Sequence, residues 1–326
     1  MTTTPFPPPT AKQPASQPAK SQPRLPARLH ADTVTLGYDS RTIATGLSVA
    51  IPDGAFTVIV GPNACGKSTL LRALSRLLRP QAGRVILDGG DIAGLAAREV
   101  ARRLGLLPQS SIAPEGITVA ELVARGRYPH QSFLRQWSKA DEAAVAAAMQ
   151  ATGIAALSGR LVDELSGGQR QRVWIAMVLA QQTPILLLDE PTTFLDMAHQ
   201  IELMELLADL NTEGRTIVAV LHDLNQACRY ATHLIAMKDG AVAAEGEPSA
   251  IVSAQLIEEV FGLPVLVIPD PVSGRPLIVP KGRPGPAPGL AAARAAPHPP
   301  VPAAAGGTPR PAAPGASPQI PEPHHD

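Results

Sequence analysis

The residues Gly61-Pro62-Asn63-Ala64-Cys65-Gly66-Lys67-Ser68, followed by Thr69, hold the spacing G-x-x-x-x-G-K-[ST]. Glycines at both ends let the chain turn sharply, so that several backbone N–H groups converge on one point and make an anion site. A helix starting near Lys67 adds the positive end of its dipole. Lys67 supplies a point charge able to reach β- and γ-phosphates, and the Ser68 hydroxyl is a hard oxygen ligand for Mg²⁺. Such a loop needs a strand before it and a helix after it. Residues 56–60 are apolar and β-branched and residues 70–78 carry a helical pattern, so both are present. The bland alternative, a strand-to-helix turn that binds nothing, is disfavoured by the agreement of motif, strand and helix. Ala64 is expected not to need a positive φ in an intact loop. Positive potential in the loop is expected to lower the pKa of Cys65, although simple packing is the commoner role for such a cysteine.

Two further stretches carry chemistry. Ile185-Leu186-Leu187-Leu188-Asp189-Glu190 is an apolar run closed by two carboxylates. A strand buried on both faces delivers its last side chains to the crest of a parallel sheet, which would set Asp189 and Glu190 beside the phosphate loop. Asp189 is then a candidate Mg²⁺ holder and Glu190 a candidate base for an attacking water. Taken alone, the run is equally a core strand ending in a solvated acidic turn. Leu165 precedes Ser166, a good N-cap, and Gly167, Gly168 and Gln169 follow at the head of a helix expected over 167–181. That makes a second helix end with exposed N–H groups.

The elements that must position these residues are readable in outline. Strand-like alternation covers 32–38, and residues 47–51 and 56–60 read as a hairpin turning at Pro52-Asp53-Gly54, so antiparallel strands are expected ahead of a parallel core. A strand is expected over 83–88, with its turn at Asp88-Gly89-Gly90, then a short helix over 95–103 leading into a strand over 104–107. Helices are expected over 118–125 and 139–152, the second with Val145, Ala148 and Met149 on one face and Gly153 at its end. Strands at 185–188, 216–221 and 234–237, with a helix over 197–210, predict a parallel sheet flanked by helices, an α/β fold. A helix over 254–261 and β segments at 265–268 and 276–279 finish the chain's periodic part.

Composition sets the bounds. Of 35 prolines, 21 lie outside residues 28–280, with Thr, Ser and Gln in the first segment and Ala, Gly and Arg in the last. Segments 1–27 and 281–326 are therefore expected to be disordered tails around one folded unit over 28–280. Lys plus Arg and Asp plus Glu number 28 each, so net charge offers no whole-molecule attraction to nucleic acid or anionic lipid. No apolar stretch approaches the ~18 residues that span a bilayer, and the first residues lack the apolar segment expected of a secretory signal. Two cysteines, Cys65 and Cys228, make neither a disulfide framework nor a metal set.

The motifs in this order resemble those of the ATP-binding-cassette ATPases over roughly residues 30 to 270. The resemblance implies a P-loop NTPase cassette with a RecA-like parallel-sheet core, an N-terminal antiparallel β subdomain and an inserted α-helical signature subdomain at about 110–180. It implies that Tyr38 stacks on adenine, that Gln109 reaches Mg²⁺ and the attacking water, and that Asp196 belongs to a loop crossing a dimer interface. His222 would contact the γ-phosphate, and Ser166, Gly167, Gly168 and Gln169 would face the γ-phosphate of the opposite subunit. Read singly, Tyr38 is an ordinary strand aromatic and His222 a satisfied, partly buried histidine. The expected cofactors are ATP and Mg²⁺, and the expected partner is a second cassette, with each site shared by two copies.

Within that family, the runs 107–111 and 114–119, the run Ala124-Arg125-Gly126-Arg127-Tyr128-Pro129-His130 and the run 191–200 resemble ferric-siderophore importer ATPases. Thr193-Phe194 replaces the Ser-Ala common in other importer cassettes. Haem and cobalamin importers share much of the pattern, and a soluble cassette acting on nucleic acid or ribosomes is the rival of another class. The importer resemblance implies integral-membrane permease subunits as direct partners and an extracytoplasmic binding protein as an indirect one. It places the chain peripherally on the cytoplasmic face of the cell membrane, with no nucleic-acid partner. The permease is expected to dock on the segment from Gln109 to about His130, with Tyr128 and Phe133 either lining the groove or buried in a small core.

Overall fold

The computed structural model describes residues 27–39, 41–109, 111–131 and 137–282. Apart from Ala27, Lys281 and Gly282, the two expected tails lie outside the described residues, as does Phe133.

The chain opens with β1 (Leu29–Tyr38) and β2 (Arg41–Ile51), then β3 (Phe56–Val60), helix α1 (Lys67–Leu74), β4 (Ala82–Leu87) and β5 (Gly90–Asp91). Helix α2 (Ala97–Arg103) leads into β6 (Leu104–Leu107), and three helices follow: α3 (Val119–Ala124), α4 (Lys139–Ala151) and α5 (Gly167–Ala180). The core then resumes with β7 (Ile185–Asp189), α6 (Met197–Thr212), β8 (Thr216–Val220), α7 (Leu224–Tyr230), β9 (His233–Lys238) and β10 (Ala241–Gly246). Helices α8 (Pro248–Ile251) and α9 (Ala254–Phe261) precede a hairpin of β11 (Val265–Pro269) and β12 (Pro276–Pro280).

One sheet has the order β2-β1-β4-β5 and is antiparallel; a second has the order β10-β9-β3-β8-β7-β6, parallel except for β10. The expected hairpin of 47–51 with 56–60 is therefore wrong. β2 pairs with β1, Leu47 facing Val34 and Ile51 facing Leu29, whereas β3 lies between β8 and β9 in the other sheet. The physical reason is the burial each strand requires. Every residue of β3 is buried, while β2 has exposed residues among its buried ones, as a strand at a sheet edge can.

Period-2 alternation divides the parallel strands between two cores. Phe56, Val58 and Val60 of β3, Leu186 and Leu188 of β7, and Ile217 and Ala219 of β8 join a core that includes residues of α3 to α7. Ile59, Leu187, Val218 and Val220 face the opposite way, onto α1 and the antiparallel sheet. The helices α3 to α5 are inserted between β6 and β7, which are themselves parallel neighbours. A buried ion pair ties this insertion together. Arg127 Nε donates to Asp141 Oδ1 at 2.8 Å and Arg127 Nη1 donates to the Ala180 carbonyl at 2.7 Å, with Arg127 and Asp141 only 5% and 4% exposed. Among the described residues no helix is long and apolar enough to cross a membrane.

Candidate nucleotide site

In a parallel sheet every carboxyl-terminal strand end lies along one edge, and β3, β8 and β7 are consecutive neighbours. The loop after β3, His222 after β8 and the Asp189-Glu190 pair at the end of β7 must therefore meet. They do. A cleft of about 480 Å³ is lined by Arg41, Ile43, Asn63, Ala64, Gly66, Lys67, Ser68, Thr69, Gln109, Glu190 and His222.

The loop's shape depends on its glycines. A Cβ on Gly61 would lie 2.2 Å from the Met237 carbonyl oxygen, and Gly66 sits at φ +105°. Pro62 O accepts the Cys65 N–H at 3.4 Å, and Cys65 O accepts the Gly240 N–H at 3.1 Å, so the loop is pinned from within and from β9's end. Ala64 departs from expectation, with φ +63°. An L-residue can enter the left-handed well at a cost of roughly 1–2 kcal/mol, so the Cβ raises the cost of that conformation without forbidding it. Cys65 also departs from expectation. It is buried, and loss of solvation raises its thiol pKa by more than Lys67 lowers it.

Lys67 is buried and its Nζ donates to the carbonyls of Gly61 and Pro62 at 2.9 Å each, so the ammonium is held over the loop. Ser68 Oγ donates to Asp189 Oδ1 at 2.9 Å. Asp189 is 2% exposed, and burial raises its carboxyl pKa against the lowering effect of the Ser68 hydrogen bond. A hydroxyl and a desolvated carboxylate oxygen in contact, with Gln109 on the same cleft, are the hard oxygen donors that suit Mg²⁺. Glu190 follows in a left-handed backbone conformation, φ +54°, and its Oε1 lies 2.7 Å from His222 Nε2. A carboxylate held this way is oriented by the imidazole. Strained backbone at such a point is common in functional sites.

The remaining sequence candidates lie outside the cleft lining. Tyr38 ends β1 with its hydroxyl accepting from Arg72 Nη1 at 3.1 Å. Ser166 caps α5 through a reciprocal box, its Oγ accepting the Gln169 N–H at 3.3 Å and Gln169 Oε1 accepting the Ser166 N–H at 3.1 Å. Gly167 and Gly168 lie against Phe194. Asp196 caps α6, accepting the His199 N–H at 3.0 Å, and the helix amide lowers its pKa. Sequence reasoning missed Arg41 and Ile43, for which no motif gives a signal. A separate groove of about 440 Å³ is lined by Pro114, Glu115, Gly116, Ile117, Glu121, Ala124, Arg125 and Tyr128. Tyr128 is 57% exposed, which excludes the buried alternative for it.

The geometry is echoed by known proteins. The family described as ABC transporter matches residues 44–193. The ferric enterobactin transport ATP-binding protein FepC of Escherichia coli (strain K12) is 62% identical over 262 residues, covering 80% of this chain and 97% of the relative. The achromobactin transport ATP-binding protein CbrD of Dickeya dadantii (strain 3937) is 54% identical over 251 residues, 77% of this chain and 93% of the relative. Among solved structures, a dimeric bacterial ABC transporter cassette, MJ0796, aligns with a TM-score of 0.62 at 29% identity, covering 67% of this chain and 98% of that one.

Proposed function

Since the chain belongs to the ABC transporter family of ATP-binding proteins, we propose that it hydrolyses ATP to power import of a ferric siderophore through a membrane permease. The observation that carries the catalytic half is the meeting of Lys67, Ser68, Glu190 and His222 on one cleft, with Asp189 buried and hydrogen-bonded to Ser68. The cargo half is supported by 62% identity to a ferric enterobactin transport protein.

Lys67 and the N–H groups at the start of α1 bind the phosphates of ATP, and Ser68, Gln109 and Asp189 hold Mg²⁺. When bound, Mg²⁺ neutralises charge on the phosphate oxygens. Glu190 takes a proton from the attacking water as its oxygen bonds to the γ-phosphorus, and the bond to the ADP oxygen breaks, leaving ADP and inorganic phosphate. His222 keeps the Glu190 carboxylate turned toward the reacting side. Tyr38 stacks on the adenine. A second copy, paired head to tail, supplies Ser166 to Gln169 over the γ-phosphate, and Asp196 lies in the loop that crosses between copies. The groove at Tyr128 takes a cytoplasmic segment of the permease, which holds the chain peripherally at the cytoplasmic face of the membrane, while an extracytoplasmic binding protein is met only through the permease.

Deleting the gene should abolish uptake of a ⁵⁵Fe-labelled siderophore, with restoration by the wild-type gene and not by Glu190→Gln. Uptake that persists at wild-type rate in the deletion strain would refute the cargo assignment.

A further inference from the structure

The turn between β7 and α6 carries two non-glycine residues in the left-handed region, Glu190 at φ +54° and Phe194 at φ +67°. Bulky residues rarely stay there unless neighbouring groups hold them. Two glutamines bond directly to this turn, and a third bonds to one of them. Gln171 of α5 donates its Nε2–H to the Pro191 carbonyl at 3.1 Å. Gln200 of α6 donates to the Thr192 carbonyl at 3.3 Å and the Leu195 carbonyl at 3.0 Å. Gln226 of α7 donates to Gln200 Oε1 at 2.9 Å, which fixes the direction in which the Gln200 amide points.

We propose that Gln171, Gln200 and Gln226 form an amide clamp that positions the Glu190–Leu195 turn and links it to the helices on either side. This inference rests on the hydrolytic reading above. The three are positioning residues, since none lines the cleft. Their placement defines what they connect. Gln171 sits in the second turn of the helix whose first turn carries Ser166 to Gln169. Gln226 sits in the first turn of α7, directly after His222, and Asp223 caps that helix through the Asn225 and Gln226 N–H groups at 2.8 and 3.0 Å. The adjacent Asn225 exchanges two hydrogen bonds with the Ile278 backbone, at 2.8 and 3.3 Å, which fastens the β11–β12 hairpin to the same helix. A displacement of α5 or α7 therefore reaches the Glu190 carboxylate through side-chain amides, not only through the apolar core.

Gln200→Met keeps the volume and removes every polar contact. Hydrogen–deuterium exchange of the full chain should show the peptide over 190–197 exchanging about 5- to 30-fold faster, the effect of losing one or two net hydrogen bonds. Thr193 and Leu195 report this directly, because their N–H groups bond to the Glu190 and Thr192 carbonyls within the turn. The phosphate-loop peptide should exchange as in wild type. In hydrolysis, kcat should fall by a similar factor with KM for ATP unchanged. Gln200→Glu retains the acceptor for Gln226 but sets a charge against two carbonyls, so it should be impaired at least as much. Adding Gln226→Met to Gln200→Met should cost little more, since both remove one network. Gln171→Met tests the clamp from its other end, with faster exchange at the turn and at the start of α5. Wild-type exchange over 190–197 in both Gln200→Met and Gln171→Met overturns the clamp, and so does faster exchange with unchanged kcat. If wild-type protein hydrolyses no ATP, the hydrolytic reading falls, and the exchange result alone decides the clamp.

Discussion

Helix α1 begins after Gly66, at φ +105°, with no side chain capping its first turn. Helix α5 begins after Ser166, with the Ser166 hydroxyl and the Gln169 amide closing a reciprocal cap. Both are helix starts rich in glycine, yet α1 has no side-chain cap and starts at a buried lysine, while α5 satisfies part of its own N–H groups. The first sits in a cleft that one chain lines with its own residues; the second is a polar tip outside that cleft. The difference explains why Lys67, Ser68, Gln109, Glu190 and His222 come together here while Ser166 to Gln169 stand apart from the cleft. The head-to-tail pairing proposed above needs that division.

The largest effect is expected at the buried pair that holds the helical insertion together. Arg127→Met leaves Asp141 buried without its cation, and urea unfolding should show a loss of about 3–5 kcal/mol. ATP affinity at 20 °C, read with a fluorescent analogue while the chain is still folded, should change little. At the phosphate loop the reverse is expected. Lys67→Ala should reduce hydrolysis by roughly 10²–10³-fold, as removal of a single charge-stabilising donor does in other enzymes, with little change in the unfolding midpoint. Ser166→Ala removes one cap and should cost about 1 kcal/mol in stability, leaving ATP binding to a single chain intact while slowing turnover in the pair.

The smallest effect is in acid. The Ser138 hydroxyl, opposed by burial and reinforced by Arg127, holds the Asp141 carboxyl below its ordinary 3.8. Because the folded value is the lower one, this stabilisation is complete above about 3.8 and is lost as pH falls through the folded pKa. Asp141→Asn should therefore flatten the fall in unfolding free energy on the acid side while lowering stability at neutral pH.

Much of this was readable before any coordinates. Motif spacing located the phosphate loop and the carboxylate pair, because those groups sit at strand ends and strand ends are marked by apolar runs. The helix cap at Ser166 follows from local chemistry and closes a capping box; the boxes at Thr118 and Ser138 are of the same kind but were not picked out in the sequence. The partner of β2 was misread because Pro52-Asp53-Gly54 has the composition of a hairpin turn, and turn chemistry does not record which sheet the next strand joins. The uniform burial of β3, against the mixed burial of β2, carried the correct answer. Ala64 was misjudged because a left-handed conformation is costly for alanine but available to it. The edge strand β10 was overlooked, since its small residues Ala241, Ala243 and Ala244 give weak alternation. The Arg127–Asp141 pair and the contacts of Gln171 with Pro191 and of Gln226 with Gln200 join residues 14 to 26 positions apart with no periodic signal between them.

In the proposed cycle ATP joins two chains head to tail until Glu190 permits hydrolysis. Sedimentation of Glu190→Gln with saturating Mg²⁺ and ATP reads that pairing. The expected result is a species of twice the 34.0 kDa chain mass that persists with ATP, returns to monomer with ADP, and is lost when Ser166→Arg is introduced. A Glu190→Gln chain that binds ATP and stays monomeric would rule out ATP-dependent pairing.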